Sequence, residues 1–320
     1  MHTPLKATLT ATILTLATLT ACTIHTPPPP PLPLPQAQTT ATETPRQYPG
    51  LHNVVAFHEG FLSGSVPEGD QGFDSLAQLG IKTIISVDGA TPDVPAATAR
   101  GIRYIHLPIG YNGFDSQRAL ELTRATRDAH AQGPVYIHCH HGKHRSAAAA
   151  AVVATGLGWL TPQAGVQRMK VSGTSPDYPG LYACAENATP MTPQTLNALP
   201  GDFPSIAPTS GFVQSMVYID EATDHLKAIE KAGWTTPKDH PDLVPAAEAG
   251  RLADLYRALA QGDHAKSMPP DFAAHLEADS KLAQTLEDLL TATNKDPAKL
   301  SAQFKLITAS CKDCHVKHRD

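Results

Sequence analysis

The segment Val135-Tyr136-Ile137-His138-Cys139-His140-His141-Gly142-Lys143-His144-Arg145-Ser146, followed at once by AAAAAVVATGLG over 147–158, decides how this chain is read. An apolar run of strand length gives way to a compact polar loop and then to strong helix formers, so the reading is a strand, a tight loop and a helix N-terminus. Such a loop aims successive backbone N–H groups and the positive end of the helix dipole at one point, which suits a phosphate and favours a thiolate at Cys139. Arg145, at the helix start, can hold two phosphoryl oxygens with its planar fork, a geometry lysine does not reproduce. Gly142 lets the loop turn tightly.

Upstream, helical patterns alternate with apolar runs. A helix is expected around 72–79, strands over 81–87 and 102–107, and a helix near 116–132. This alternation predicts an α/β domain with a central, mostly parallel sheet flanked by helices.

The pattern HCxxGxxRS resembles the signature of the protein tyrosine and dual-specificity phosphatase superfamily, and the resemblance extends over most of residues 50–190. It takes in the stretch GFLSGSVPEGDQGFDSLAQLGIKTIISVDG over 60–89. The resemblance implies attack by Cys139 on phosphorus, a phosphocysteine held by Arg145 and the loop amides, and hydrolysis by water. It further implies that Ser146 assists departure of the thiolate and that His138 orients the loop. The family also protonates the leaving oxygen with an aspartic acid. In this chain Gly110 stands where that aspartate usually follows Pro-Ile, so Asp115 in GYNGFDS is the candidate acid, with Asp88 and His106 as alternatives. Lys143 with His140, His141 and His144 makes the loop locally basic, and CxxGKxR also resembles the loop of phosphoinositide phosphatases. Expected ligands are therefore a phosphotyrosine or phosphoserine protein, a phosphoinositide or an inositol phosphate. Arsenate reduction on the same loop, or binding of phosphorylated ligands without turnover, are the other uses such a loop permits.

Beyond a Pro- and Thr-rich stretch over 187–208 the chain changes character. Apolar residues at helical spacing predict helices over about 212–232, 246–261 and 271–292 and a fourth after Pro297, that is, an all-α four-helix bundle. The last helix carries Cys311-Lys312-Asp313-Cys314-His315, whose three ligand residues at i, i+3 and i+4 share one face. CxxCH is the attachment pattern of c-type haem, in which the thiols form thioethers with the porphyrin and His315 reaches the iron. Zinc would need ligands that wrap around it, which Cys311, Cys314, His315 and His318 on one continuous helix do not do. The placement resembles the class II cytochromes c, of cytochrome c′ type, over residues 205–320. That resemblance implies one covalent haem c, an electron-transfer partner or a sensing role, and a sixth iron position that is vacant or filled by Met216.

The N-terminal run TLTATILTLATLTAC over 8–22 is too short to span a membrane as a mature helix. Leu19-Thr20-Ala21-Cys22 resembles the lipobox of bacterial lipoproteins, which implies lipidation at Cys22 and a protein held on the periplasmic side of a bacterial membrane. The expected organisation is a signal peptide over 1–21, a Pro-rich spacer over 22–47, a phosphatase domain over 48–200 and a haem domain over 201–320. A formal net charge of -5 leaves no global basic excess for a nucleic-acid partner. Five cysteines make an odd count and fit no disulfide framework. Cys184 is left as a buried thiol or as a reversible disulfide partner of Cys139.

Overall fold

A computed structural model describes residues 32–36, 43–208 and 211–318. The leader and the lipidation candidate Cys22 lie outside the described residues. Six strands form one sheet: β1 (Arg46–Tyr48), β2 (Leu51–His58), β3 (Phe61–Ser65), β4 (Thr83–Ser86), β5 (Arg103–His106) and β6 (Val135–Cys139), in the order β1-β2-β3-β6-β4-β5. The four strands β3, β6, β4 and β5 run parallel, and β1 and β2 add an antiparallel edge. The sheet is thus mixed, with its parallel half around β6.

β6 is central and buried on both faces, which is why its sequence is almost continuously apolar. Its residues alternate between two cores. Tyr136 packs with Ile84, Tyr104 and Phe73 under α1 (Gly69–Gln78) and α2 (Val94–Thr98), while Val135, Ile137 and Cys139 face the other layer. That layer comprises α3 (Ser116–His130), α4 (Arg145–Gly156), α5 (Pro162–Val171) and α6 (Pro179–Glu186), with the short α7 (Pro193–Asn197) against α3. Every residue of α4 is buried. Its alanines let neighbours approach closely, and a Cβ added at Gly165 of α5 would come within 3.1 Å of Ala151 Cβ.

The C-terminal region is helical: α8 (Phe212–Lys231), α9 (Pro245–Gln261), the short α10 (Asp263–Ser267), α11 (Pro270–Thr291) and α12 (Pro297–His318). α9 packs against α8 and α11, and α11 packs against α12. Just past α8, Trp234 stacks edge-on to Phe304 of α12 at 5.8 Å and donates to Ser301 Oγ at 3.0 Å. No helix among the described residues is long and apolar enough to cross a membrane.

Two expected boundaries need correction. The spacer is not detached throughout: Leu32 N donates to Gln78 O at 2.8 Å, Leu32 and Leu34 pack on the core beneath α1, and Glu43 pairs with the buried Arg168. Residues 201–208 belong with the sheet, where Pro204 O accepts from His106 N at 2.9 Å and Ala207 N donates to His106 Nδ1 at 3.1 Å. β5 is an edge strand, and its outward backbone groups need partners that this segment supplies. Nor do the two regions keep separate cores, since one apolar cluster runs from β6 and α4 through Tyr111 and Tyr178 into α8, α9, α11 and α12.

The close seat of α5 on α4 makes Ala151→Leu an overpacking change. It should cost about 1–3 kcal/mol, read as a lower urea midpoint with unchanged slope.

Candidate functional site

The loop between β6 and α4 is held from outside. Val66 N donates to His140 O at 3.2 Å, Asn53 Nδ2 to Gly142 O at 2.9 Å, and Thr174 Oγ1 to Lys143 O at 2.5 Å. Because the two polar groups of a peptide unit point opposite ways, carbonyls turned outward leave the following N–H groups directed into the loop. Gly142 has φ 72°, and a side chain there would collide with the backbone of Gly64 and Ser65. α4 starts at Arg145 with no side chain capping its N-terminus. Its first-turn donors are thus left to whatever sits in the loop.

Cys139 lies beside this cradle, with Ser146 Oγ 3.3 Å from its Sγ. The structure therefore brings Cys139, Gly142, Arg145 and Ser146 together at one loop. Arg145 is 1% exposed and Cys139 3%. The Arg145 fork is engaged by a residue the sequence reading missed: Nη1 donates to Asp254 Oδ2 of α9, and Nη2 to Asp254 Oδ1 at 3.3 Å. Nη2 also donates to Tyr111 OH at 3.0 Å, and the guanidinium carbon stands 4.1 Å from the Tyr111 ring centre.

Asp88, just past β4, is 3.5 Å from Arg145 and 3.8 Å from Arg257. Arg257 in turn donates to Asp254 at 2.5 Å. Two guanidinium groups and two carboxyls thus form one buried cluster. Burial opposes ionisation of Asp88, but Arg145 and then Arg257 outweigh it and hold its carboxyl well below the usual range. Asp254 is pushed the other way, by burial and by the neighbouring Asp88, against the pull of both arginines. Beside the cluster, Tyr178 OH donates to Glu287 Oε1 of α11 at 2.5 Å. Burial, with Asp254 adding to it, pushes Glu287 up to about 7.

The histidines do not make the loop basic, which corrects the sequence expectation. Burial first, and the nearby cations after it, lower His140 and His144 to about 3 and lower His141 as well, so these rings are neutral near pH 7. The positive charge comes from Lys143, which is exposed, from Arg145, and from Arg257 of α9. His138 is buried, lowered to about 4 by burial, and hydrogen-bonded through Nε2 to Tyr104 OH at 2.6 Å, which fixes the strand end below the loop. His106 spends its ring nitrogens on Asp88 O and Ala207 N.

Asp115 is exposed and serves as the N-cap of α3, its Oδ1 accepting from Arg118 N at 2.8 Å. Cys184 is a free thiol, half-buried, that lies 3.4 Å from both the N and the O of Phe114 and so braces the segment leading to Asp115. Cys139 is also free.

A second concavity lies among α8, α9, α11 and α12, with a volume of about 1310 Å³. Met216, Tyr256, Cys311, Cys314, His315 and His318 all line it, so the expected thioether cysteines, the expected axial histidine and the expected sixth ligand face one space. His318 Nε2 is buried without a hydrogen-bond partner, and the Asp271 carboxylate stands 3.9 Å away. Tyr256 OH lies 3.2 Å from Cys311 Sγ. An apolar cavity of this size with two thiols and an imidazole on one helix fits a covalently held haem. Among the described residues no group of three or more His, Cys, Asp and Glu is placed to hold a bare metal ion, as zinc would need.

Asp254, Arg257 and Glu287 were not found from sequence; the burial of the helix that carries the first two had a signal, their pairing did not. α9 reads Ala-Ala-Glu-Ala-Gly-Arg-Leu-Ala-Asp-Leu-Tyr, small and apolar on more than one face, the mark of a helix covered on two sides.

No family model matches this chain, and no curated protein matches it. Solved structures do. It is similar to the crystal structure of P. aeruginosa TpbA, at 22% identity and a TM-score of 0.41, over 47% of this chain and 93% of that one. TpbA has also been crystallised in complex with pTyr. PTPMT1 in complex with PI(5)P matches at 10% identity and a TM-score of 0.35, over 45% of this chain and 95% of that one. The catalytic core of the PP-IP phosphatase SIW14 from S. cerevisiae matches at 19% identity and a TM-score of 0.34, over 39% and 79%.

The raised Glu287 links stability to pH. Its folded-state value lies above the ordinary 4.5, so the folded protein keeps a proton that the unfolded chain loses between pH 4.5 and about 7. The contribution is present below that window and is lost as pH rises through it. Glu287→Gln keeps an acceptor for Tyr178 and removes the titration. Wild type should lose on the order of a few kcal/mol more than the variant between pH 5 and 8, measured by urea unfolding.

Proposed function

We propose that this protein is a cysteine-dependent phosphomonoesterase of tyrosine or dual-specificity type that carries a covalent haem and is held on the periplasmic side of a bacterial membrane through Cys22. The observation that carries the reading is the joint placement of Cys139 Sγ, Ser146 Oγ and the uncapped N-terminus of α4, with Arg145 as its first residue, at one loop.

In the reaction so proposed, Cys139 Sγ attacks phosphorus and the phosphorus–oxygen bond to the leaving group breaks. Arg145 and the loop amides take the charge of the equatorial oxygens, a role suited to donors fixed before the substrate arrives. Water then attacks the thiophosphate, and Ser146 hydrogen-bonds the departing sulfur. For the proton that the leaving oxygen needs, Asp115 is the proposed donor. It would have to give up its cap on α3, at a cost of about 1 kcal/mol.

Lys143, Arg145 and Arg257 favour phosphorylated polyanions, which include a phosphotyrosine or phosphoserine protein, a phosphoinositide and an inositol phosphate. Cys311 and Cys314 would hold one haem c, and His315 and Met216, which line the same cavity, are the side chains that would ligate its iron. Bound there, the group would supply electron transfer or a redox- or gas-sensitive centre. α9 favours the sensing use, because it presents Asp254 to Arg145 and, two residues on, Tyr256 to the cavity. A second reading, a haem protein whose phosphatase-like part only binds phosphorylated ligands, is favoured by the engaged state of Arg145.

Cys139→Ser should abolish hydrolysis of a small aryl phosphate by reduced, haem-loaded protein, and Asp115→Asn should slow it by about 10²-fold or more. Wild-type protein with a free Cys139 thiol and no hydrolysis would sink the enzyme reading in favour of the second. Separately, haem in the wild type should resist acid extraction, whereas Cys311→Ser with Cys314→Ser should release it. Extractable haem in the wild type would remove the covalent assignment.

A further inference from the structure

We propose that Asp254 is a carboxyl plug: helix α9 seats it on the Arg145 fork in place of a phosphoryl group, and a phosphorylated ligand binds by displacing it. This rests on reading the β6–α4 loop as a phosphate site.

The geometry is that of a substrate mimic. Asp254 presents Oδ2 to Nη1 and Oδ1 to Nη2 of Arg145, the paired arrangement by which a guanidinium holds two phosphoryl oxygens. A carboxyl so placed and a phosphoryl group cannot share the fork. Closure is built into the neighbouring residues as well. Tyr111 covers the guanidinium from one side. Gly250, one turn before Asp254 on α9, has no side chain where a Cβ would come within 2.8 Å of the Tyr111 ring and 3.0 Å of Glu287 Oε1. The missing side chain at Gly250 lets α9 come close enough for its carboxyl to reach the fork.

Charge explains why the plug is both stable and removable. Arg145 is buried, and a buried guanidinium without a counter-charge is costly. Asp88 stands at 3.5 Å, and Asp254 completes the pairing. An incoming phosphate restores the negative charge that Asp254 takes away. The displaced carboxyl keeps a partner too, because Arg257, three residues on along the same helix, already donates to it at 2.5 Å. Exchange therefore leaves neither arginine unpaired. In the full chain, the affinity for phosphate is reduced by the fraction of time the plug is out.

The test uses full-length protein and inorganic phosphate as probe, with affinity measured by calorimetry. Asp254→Ala and Asp254→Asn should each bind phosphate about tenfold or more tightly than wild type. Alkylation of Cys139 by iodoacetamide, followed by peptide mass, should accelerate in the same variants. Gly250→Ala, which retains Asp254 but wedges α9 away from Tyr111, should shift both readouts in the same direction and serves if the Asp254 variants do not fold. Unchanged or weaker phosphate binding in folded variants overturns the plug. Aryl phosphate hydrolysis on the same samples keeps the two readings apart. Tight phosphate binding without hydrolysis leaves the plug standing and removes the enzyme, whereas Cys139-dependent hydrolysis with phosphate affinity unchanged by Asp254→Ala removes the plug alone.

Discussion

A buried guanidinium must be paired, and in this protein that requirement organises the site. Arg145 sits at the first position of α4, below the surface, where solvent cannot compensate its charge. An isolated cation there would cost several kcal/mol. The chain meets the requirement from three directions: Asp88 beyond β4, the Tyr111 hydroxyl beyond β5, and Asp254 from α9. The C-terminal helices are tied to the sheet through this cluster and through the apolar surface that surrounds it.

The same constraint shapes the local sequence. Placing an arginine and a cysteine at the joint of a central strand and a buried helix needs a loop whose carbonyls are satisfied outside, and Val66, Asn53 and Thr174 do that. It also needs a helix thin enough to be covered on all sides. The alanine run of α4 meets that need, since small side chains let the sheet, α3, α5 and α6 close around it. Burial then turns the loop histidines neutral, so that charge is concentrated on the arginines and on Lys143.

α9 joins two chemistries on one rod. Its Asp254 reaches the phosphate loop and its Tyr256 reaches the cavity that holds Cys311, Cys314 and Met216 in view of one another. Residues two apart on a helix point to different sides. A rigid element in contact with both places is a physical path by which the state of one could be felt at the other.

Sequence alone determined the features that repeat locally. The strand–loop–helix around Cys139, the order and approximate length of the α8, α9, α11 and α12 helices, and the convergence of Cys311, Cys314 and His315 on one face followed from spacing and helical period, which short-range geometry enforces. α10 and the antiparallel edge of β1 and β2 were less visible, being short and without a period of their own. Only the tertiary structure decided that residues 32–36 and 201–208 pack on the sheet, that the two regions share a core, and that Asp254 and Glu287 enter a site more than a hundred residues away in sequence. Their side chains look like ordinary helix-surface carboxylates in a linear reading. What makes them part of the site is burial against a partner far along the chain, and that pairing arises from packing rather than from any local pattern.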